Sequence, residues 1–178
     1  MKLTKKTIAA AHKIVMRARS FDTMLSGEIP TENGVIITDG ILTVHSPVSF
    51  GEPQCMHRNP VCAGGNLKTK LIEATNVEKR LANKPFELRK VASTICGLCK
   101  EFAKTNEYKK SFVTIEGLVF DSVRLVNAFD IVGRKACGYI ANHPNLFNGS
   151  SYLIIEPENV DYENDIYAIL LPFGKVGD

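Results

Sequence analysis

The sequence predicts an α+β protein: a duplicated βαβββ unit with an antiparallel sheet, its two helices on one side, and a helical, cysteine-containing insertion between the copies. Three observations predict it. Residues 34–46 and 136–172 contain short apolar runs joined by turn residues, which is how hairpin-linked strands read. Residues 5–18 and 119–132 carry apolar side chains at helical spacing. Residues 1–46 and 111–178 share one order, a short strand, a helix, then two or three strands, whereas residues 47–110 break that order.

Each element has its own signal. In 5–18, Ile8, Ala11, Val15 and Ala18 form an apolar stripe, and Thr4 stands where an N-cap belongs. Gly34 to Thr38 and Ile41 to His45 flank Asp39-Gly40, a strong hairpin dipeptide. Prolines 47, 53 and 60 and glycines 51, 64 and 65 punctuate 47–66, which therefore reads as a loop, followed by a short strand over 67–74. A second helix over about 86–105 follows from Leu88, Val91, Ile95, Leu98 and Phe102, a stripe expected to hold it against the sheet. Its last turn and the loop after it carry Lys100, Lys104, Lys109 and Lys110. Ser111 to Glu116 alternates as a strand does, a third helix spans 119–132 and Gly133 stops it. Three strands, about 136–141, 151–156 and 166–172, complete the chain.

With 178 residues, 44% apolar and 23% charged, the chain has the composition of one globular domain. It contains no apolar run of the roughly 18 residues that a membrane span requires. Its first residues lack an apolar signal core, so a soluble, cytoplasmic protein without a membrane partner is expected. In such a setting five cysteines read as thiols or metal ligands rather than disulfides.

The net charge of +3 hides a division: residues 1–110 carry a balance of +8 and residues 111–178 one of −5. Lys2, Lys6, Lys13 and Arg17 fall along one side of the first helix, with Lys5 and Arg19 beside them. Such a row is either a solvated helix face or a contact surface for a polyanion.

Further residues carry a family resemblance. Met1-Lys-Leu-Thr-Lys-Lys-Thr-Ile-Ala-Ala-Ala-His-Lys-Ile-Val resembles the opening strand and helix of the bacterial sliding clamp, the beta subunit of the replicative DNA polymerase. Gly34-Val-Ile-Ile-Thr-Asp-Gly-Ile-Leu-Thr-Val resembles the hairpin that follows there. Phe120-Asp-Ser-Val-Arg-Leu-Val-Asn-Ala-Phe, Tyr152-Leu-Ile-Ile-Glu-Pro and Ile166-Tyr-Ala-Ile-Leu-Leu-Pro-Phe resemble the clamp's closing helix and last strands. A clamp subunit carries several such domains; this chain has room for a single one, about 1–46 and 111–178, with 47–110 inserted. The resemblance implies a clamp-like, non-catalytic module binding duplex DNA or replication proteins, of the kind a phage or mobile element would carry. It implies that helices face DNA, which makes Lys6, Lys13 and Arg17 the candidate phosphate contacts. Asp121 and Asp130 on the third helix, beside Arg124 and Arg134, depart from a fully basic lining.

The alternative is a zinc-stabilised interaction or regulatory protein that uses the insertion. Cys55, Cys62, Cys96 and Cys99, with His57 nearby, supply enough ligands for a tetrahedral zinc. Against it, Cys55 and Cys62 lack the usual knuckle spacing, and Cys96 and Cys99 lie inside a predicted helix, where buried thiols are expected. About ten helical residues precede Cys96, which removes the helix-terminus activation of a redox dithiol. No nucleophile elbow, phosphate loop or dinucleotide fingerprint occurs, so no enzyme class is indicated. The acidic run Glu156, Glu158, Asp161, Glu163 and Asp165 lacks the glycine of a calcium loop and reads as a solvated turn.

Overall fold

The computed structural model describes residues 3–21, 24–104, 111–133 and 136–176. Four helices, α1 (Lys5–Phe21), α2 (Pro60–Thr75), α3 (Pro85–Lys104) and α4 (Ser122–Val132), surround two antiparallel sheets. The strands are β1 (Ile29–Thr31), β2 (Gly34–Thr38), β3 (Leu42–Ser46), β4 (Arg80–Leu81), β5 (Phe112–Ile115), β6 (Leu118–Asp121), β7 (Ala136–Asn142), β8 (Ser151–Pro157), β9 (Tyr167–Leu170) and β10 (Gly174–Lys175). The large sheet runs β1-β2-β3-β9-β8-β7-β4 and the small one β10-β6-β5. At the centre of the large sheet, Leu42 pairs with Leu170 and His45 with Tyr167.

The large sheet is buried on both faces, which explains why β8 is apolar almost throughout rather than alternating. Leu153 and Ile155 face a core shared with Ala11, Ile14, Val15, Leu125 and Phe129 of α1 and α4. Tyr152 and Ile154 face a second core, with Leu71 and Ala74 of α2 on the other side. The helices expected over 5–18 and 119–132, α1 and α4, share one face of the sheet, with α3 beside them; the insertion adds α2, which covers the opposite face.

Local signals account for most boundaries. Thr4 Oγ1 accepts from the Thr7 amide at 3.1 Å and caps α1. Asp121 Oδ1 accepts from the Arg124 amide at 2.8 Å and caps α4, so residues 119–121, expected in the helix, belong to β6. Residues 67–74, expected as a strand, are helix, because α2 starts at Pro60. Asn59 Oδ1 accepts from the Cys62 amide at 3.2 Å, and proline is pre-set for the first helical position. Buried Glu28 organises the loop before α2 by accepting from the amides of Phe50 at 2.6 Å and Glu52 at 3.1 Å.

Helix α3 lies where the sequence places it, but rotated. Leu88 and Ala92 are buried and Ile95 partly so, whereas Val91, Leu98 and Phe102 of the expected contact stripe are 46%, 49% and 42% exposed. Two side-chain contacts to α4 set the rotation: Arg89 Nη2 to Asp130 at 2.5 Å, and Cys96 Sγ to Ser122 Oγ at 3.3 Å. In α1, Ile8 is exposed, whereas Ala11, Val15 and Ala18 of the expected stripe are buried together with Thr7, Ala10 and Ile14.

One buried ion pair ties the first hairpin to α4. Arg124 Nε donates to Asp39 Oδ2 at 2.7 Å, with side-chain exposures of 7% and 0%. Asp39 Oδ1 also accepts from the amides of Ile41 and Leu42 at 3.1 and 2.9 Å, closing the turn in which Gly40 takes φ +84°.

Candidate nucleic-acid interface

Lys6, Lys13 and Arg17 lie along one flank of α1. Lys6 and Lys13 are exposed and Arg17 is half-buried, its Nη1 enclosed without a hydrogen-bond partner. The flank borders α4, because Lys6 Nζ reaches Asp130 Oδ1 at 2.9 Å. Further around α1, Ile8, His12 and Met16 are exposed, so the outer face of this helix is mixed rather than uniformly basic. His12 Nδ1 lies 2.9 Å from Glu52 Oε1, pinning the loop that carries Glu52 to the helix.

Helix α4 sits between α1 and α3, and Asp130 is the shared partner of Lys6 on one side and Arg89 on the other. Every residue of α4 is buried or half-buried. The solvent-facing surface of this layer therefore belongs to α1 and α3. Helix α1 carries five Lys/Arg and no acidic residue, and α3 carries four Lys/Arg and two Glu. The acidic segment 156–165 packs on the other face of the sheet, where Tyr162 joins the α2 core and Glu163 meets Lys68 at 3.1 Å. The acidic segment thus lies across the sheet against Lys68 and Lys79, while the helical layer carries a surplus of basic residues. Such a surface attracts polyanions through long-range, salt-screened forces. The spacing along the chain shows the row on α1 together with Lys100 and Lys104; it gives no hint of Arg89 and Lys90. Lys2, Lys109, Lys110 and Arg134 lie outside the described residues.

The four candidate zinc ligands are not gathered. Cys55 is buried in the core under α2, and Cys62 is exposed at the start of α2. Cys96 and Cys99 are half-buried on α3, across the sheet. Burial pushes the Cys96 thiol pKa up, against the partial relief of its Ser122 hydrogen bond. Among the described residues no three His, Cys, Asp or Glu side chains are grouped to hold a metal ion.

A separate polar cluster lies between the sheet and the 158–165 segment. His45 is fully buried and stacks on Tyr167, with ring centroids 5.1 Å apart. Burial, then the charge of Lys68, hold its imidazole below the ordinary value of 6.5; the nearby Asp165 backbone and the Glu163 carboxylate oppose the shift. None of these groups reaches hydrogen-bond geometry with either ring nitrogen. Between the depressed folded value and 6.5 the unfolded chain binds the proton that the folded chain refuses, so stability rises with pH across that interval. The contribution is complete above 6.5 and is lost as pH falls through it towards the folded value. His45→Phe keeps the stack and removes the titration. In urea denaturation, lowering the pH should therefore change the stability of wild type relative to this variant by up to about 1.4 kcal/mol per pH unit. Parallel pH profiles would show that His45 does not titrate differently in the two states.

Among the described residues no helix is long and apolar enough to cross a membrane. Among the described residues the architecture is α+β, with four helices, a seven-stranded antiparallel sheet and a small three-stranded sheet. No protein-family model, no curated protein and no solved structure matches the chain.

Proposed function

We propose that this chain is a non-catalytic, clamp-like module that binds duplex DNA through its helical layer, by charge and shape rather than base sequence. The observation that carries the reading is the surface of α1 and α3, seven exposed Lys/Arg against two exposed Glu, on the face opposite the acidic segment. The clamp-like part draws support from topology. The order helix-strand-strand-strand occurs as α1-β1-β2-β3 and again as α4-β7-β8-β9. From the central β3·β9 pair the sheet runs outward through β2 and β1 on one side and β8 and β7 on the other. An ancestral duplication produces that arrangement. One difference from the resemblance matters: α4 is covered, so DNA meets α1 and α3 instead of the two duplicated helices.

Lys and Arg that neutralise phosphates release counterions, so affinity falls steeply with salt. In a titration of two unrelated labelled duplexes, wild type should bind both equally. The Lys6→Ala, Lys13→Ala, Arg17→Ala triple variant should bind both more weakly. Its slope of log affinity against log salt should be smaller by about 0.9 for each phosphate that the variant leaves un-neutralised. Because Lys6 and Arg17 also pack within the fold, charge reversal at exposed Lys13 and Lys90 provides a second variant with the same expected direction. Equal binding by wild type and both variants, or no binding at low salt, would end the DNA reading.

A second reading, recognition of a protein partner by the insertion, has one observation in its favour. The outer side of α3 leaves Phe86, Val91 and Leu98 exposed. Zinc is not part of that reading, since the thiols stand apart.

A further inference from the structure

On the α2 side of the sheet, two donors converge on one carboxylate oxygen. Lys68 Nζ, from α2, and Asn33 Nδ2, from the β1–β2 turn, donate to Glu163 Oε2 at 3.1 and 2.9 Å. The Lys68 side chain is 11% exposed and that of Glu163 is 54% exposed, so the acid reaches inward from solvent to a nearly buried cation. Neighbouring Tyr162 is anchored independently. Its hydroxyl donates to Glu156 at 2.7 Å and also meets Lys79, and its ring lies edge-on to Tyr167. Glu163 can therefore swing outward without unseating the segment that carries it.

Beside this corner the sheet buries polar groups that bond to nothing. His45 and Tyr167, both 0% exposed, face each other across β3 and β9. Neither nitrogen of His45 has a hydrogen-bond partner, and neither does the Tyr167 hydroxyl or Thr31 Oγ1. Each such group has lost its hydration without a compensating hydrogen bond. In the same row Ile29 pairs with Ile36, and Ile36 with His45, so aliphatic side chains fit here and avoid that cost. Unsatisfied polar groups kept in an otherwise apolar row are where a ligand is to be sought. Tyr162, next to Glu163 in the chain, has its ring centroid 5.0 Å from that of Tyr167, and Tyr167 lies 5.1 Å from the His45 ring, so the unpartnered groups adjoin the segment that carries the ion pair.

We propose that this is a binding site for a small oxyanion, a carboxylate or phosphate group, and that the Glu163 carboxylate is its internal stand-in. In the liganded state the anion takes the place of Glu163 on Lys68 and Asn33, and further polar atoms of the ligand hydrogen-bond to His45 and Tyr167. Lys68 supplies the charge, Asn33 the second donor, and the imidazole and phenol distinguish one anion-bearing molecule from another. The site lies across the sheet from the basic helical layer and stands independently of DNA binding.

The test uses the full chain with acetate and inorganic phosphate as separate probes, followed through the imidazole resonances of His45 by NMR. Glu163→Ala removes the stand-in at a half-exposed position. This variant should show a saturable His45 shift with at least one of the two anions, at an affinity at least about tenfold tighter than wild type. Which anion saturates identifies the group recognised. Adding Lys68→Met to Glu163→Ala should abolish the shift. If that double variant fails to fold, Asn33→Ala in its place should weaken binding. No saturable shift with either anion, or a shift that survives loss of Lys68 or is indifferent to Asn33, would overturn the proposal.

Discussion

Replacing Asp39 with alanine is expected to lower the unfolding free energy by about 3–5 kcal/mol, measured by urea denaturation at neutral pH. The guanidinium of Arg124 would remain buried at 7% exposure, with Asp121 at 3.0 Å and the face of Phe173 at 5.7 Å as its remaining neighbours. The amides of Ile41 and Leu42 would also be deprived of the acceptor that closes the hairpin turn. Both effects strike the junction between the first hairpin and α4. Arg124→Met should cost less, because the Asp39 carboxylate keeps those two amide donors. Combining the variants should cost less than the sum of the singles, since the second change removes a charge that the first stranded. A cost below about 1 kcal/mol for Asp39→Ala would show that the pair does not hold the two parts together.

Asp39 also shows how far the sequence could be read. Asp39-Gly40 marks the hairpin by its turn chemistry alone, and the strands on either side follow from it. That the same carboxylate reaches a helix 85 residues away is a tertiary fact with no local signal. The misreading of α2 has a similar cause. Pro60, Gly64 and Gly65 look like loop punctuation one at a time, although Asn59-Pro60 is a good helix start. Helix α3 was visible as a helix but not in its rotation. Leu88 and Ala92 against Val91 and Leu98 are nearly equivalent by hydrophobic spacing, and the choice falls to Arg89, whose partner Asp130 lies on another helix.

The candidate surfaces were legible to different degrees. A row such as Lys6, Lys13 and Arg17 announces itself, because helical spacing is a property of the chain. Whether that row points to solvent depends on what packs beside it, and Asp130 of α4 engages its first member. The covering of α4 by α3 was hidden for the same reason: α3 belongs to the insertion, and nothing in 85–104 says which helix it will lie against. His45 read as one residue of an alternating strand. Its meaning depends on Tyr167, Lys68 and Glu163, which come from three other parts of the chain.

Gly64→Ala is expected to be among the most damaging single-methyl changes in the protein. Helix α2 approaches β1 so closely that an added Cβ at Gly64 would stand 1.8 Å from the carbonyl oxygen of Pro30 and 2.8 Å from its carbon. Backbone atoms cannot rotate away as a side chain can, so either α2 lifts or β1 shifts. Lifting α2 would loosen Leu71 and Ala74 from the core that also holds Ile29, Ile36 and Tyr152. Overpacking of this kind costs about 1–3 kcal/mol where the surroundings yield, and the rigid neighbour places Gly64 at or above the top of that range. The adjacent Gly65 is the internal control, because nothing lies within 4 Å of its added Cβ. There alanine gains helix propensity, and Gly65→Ala should stabilise by about 0.5–1 kcal/mol. The two variants differ by one position and by no other chemistry, so chemical denaturation of the pair separates close packing from propensity. Equal effects of the two substitutions, of either sign, would mean that α2 does not rest on β1 through Gly64.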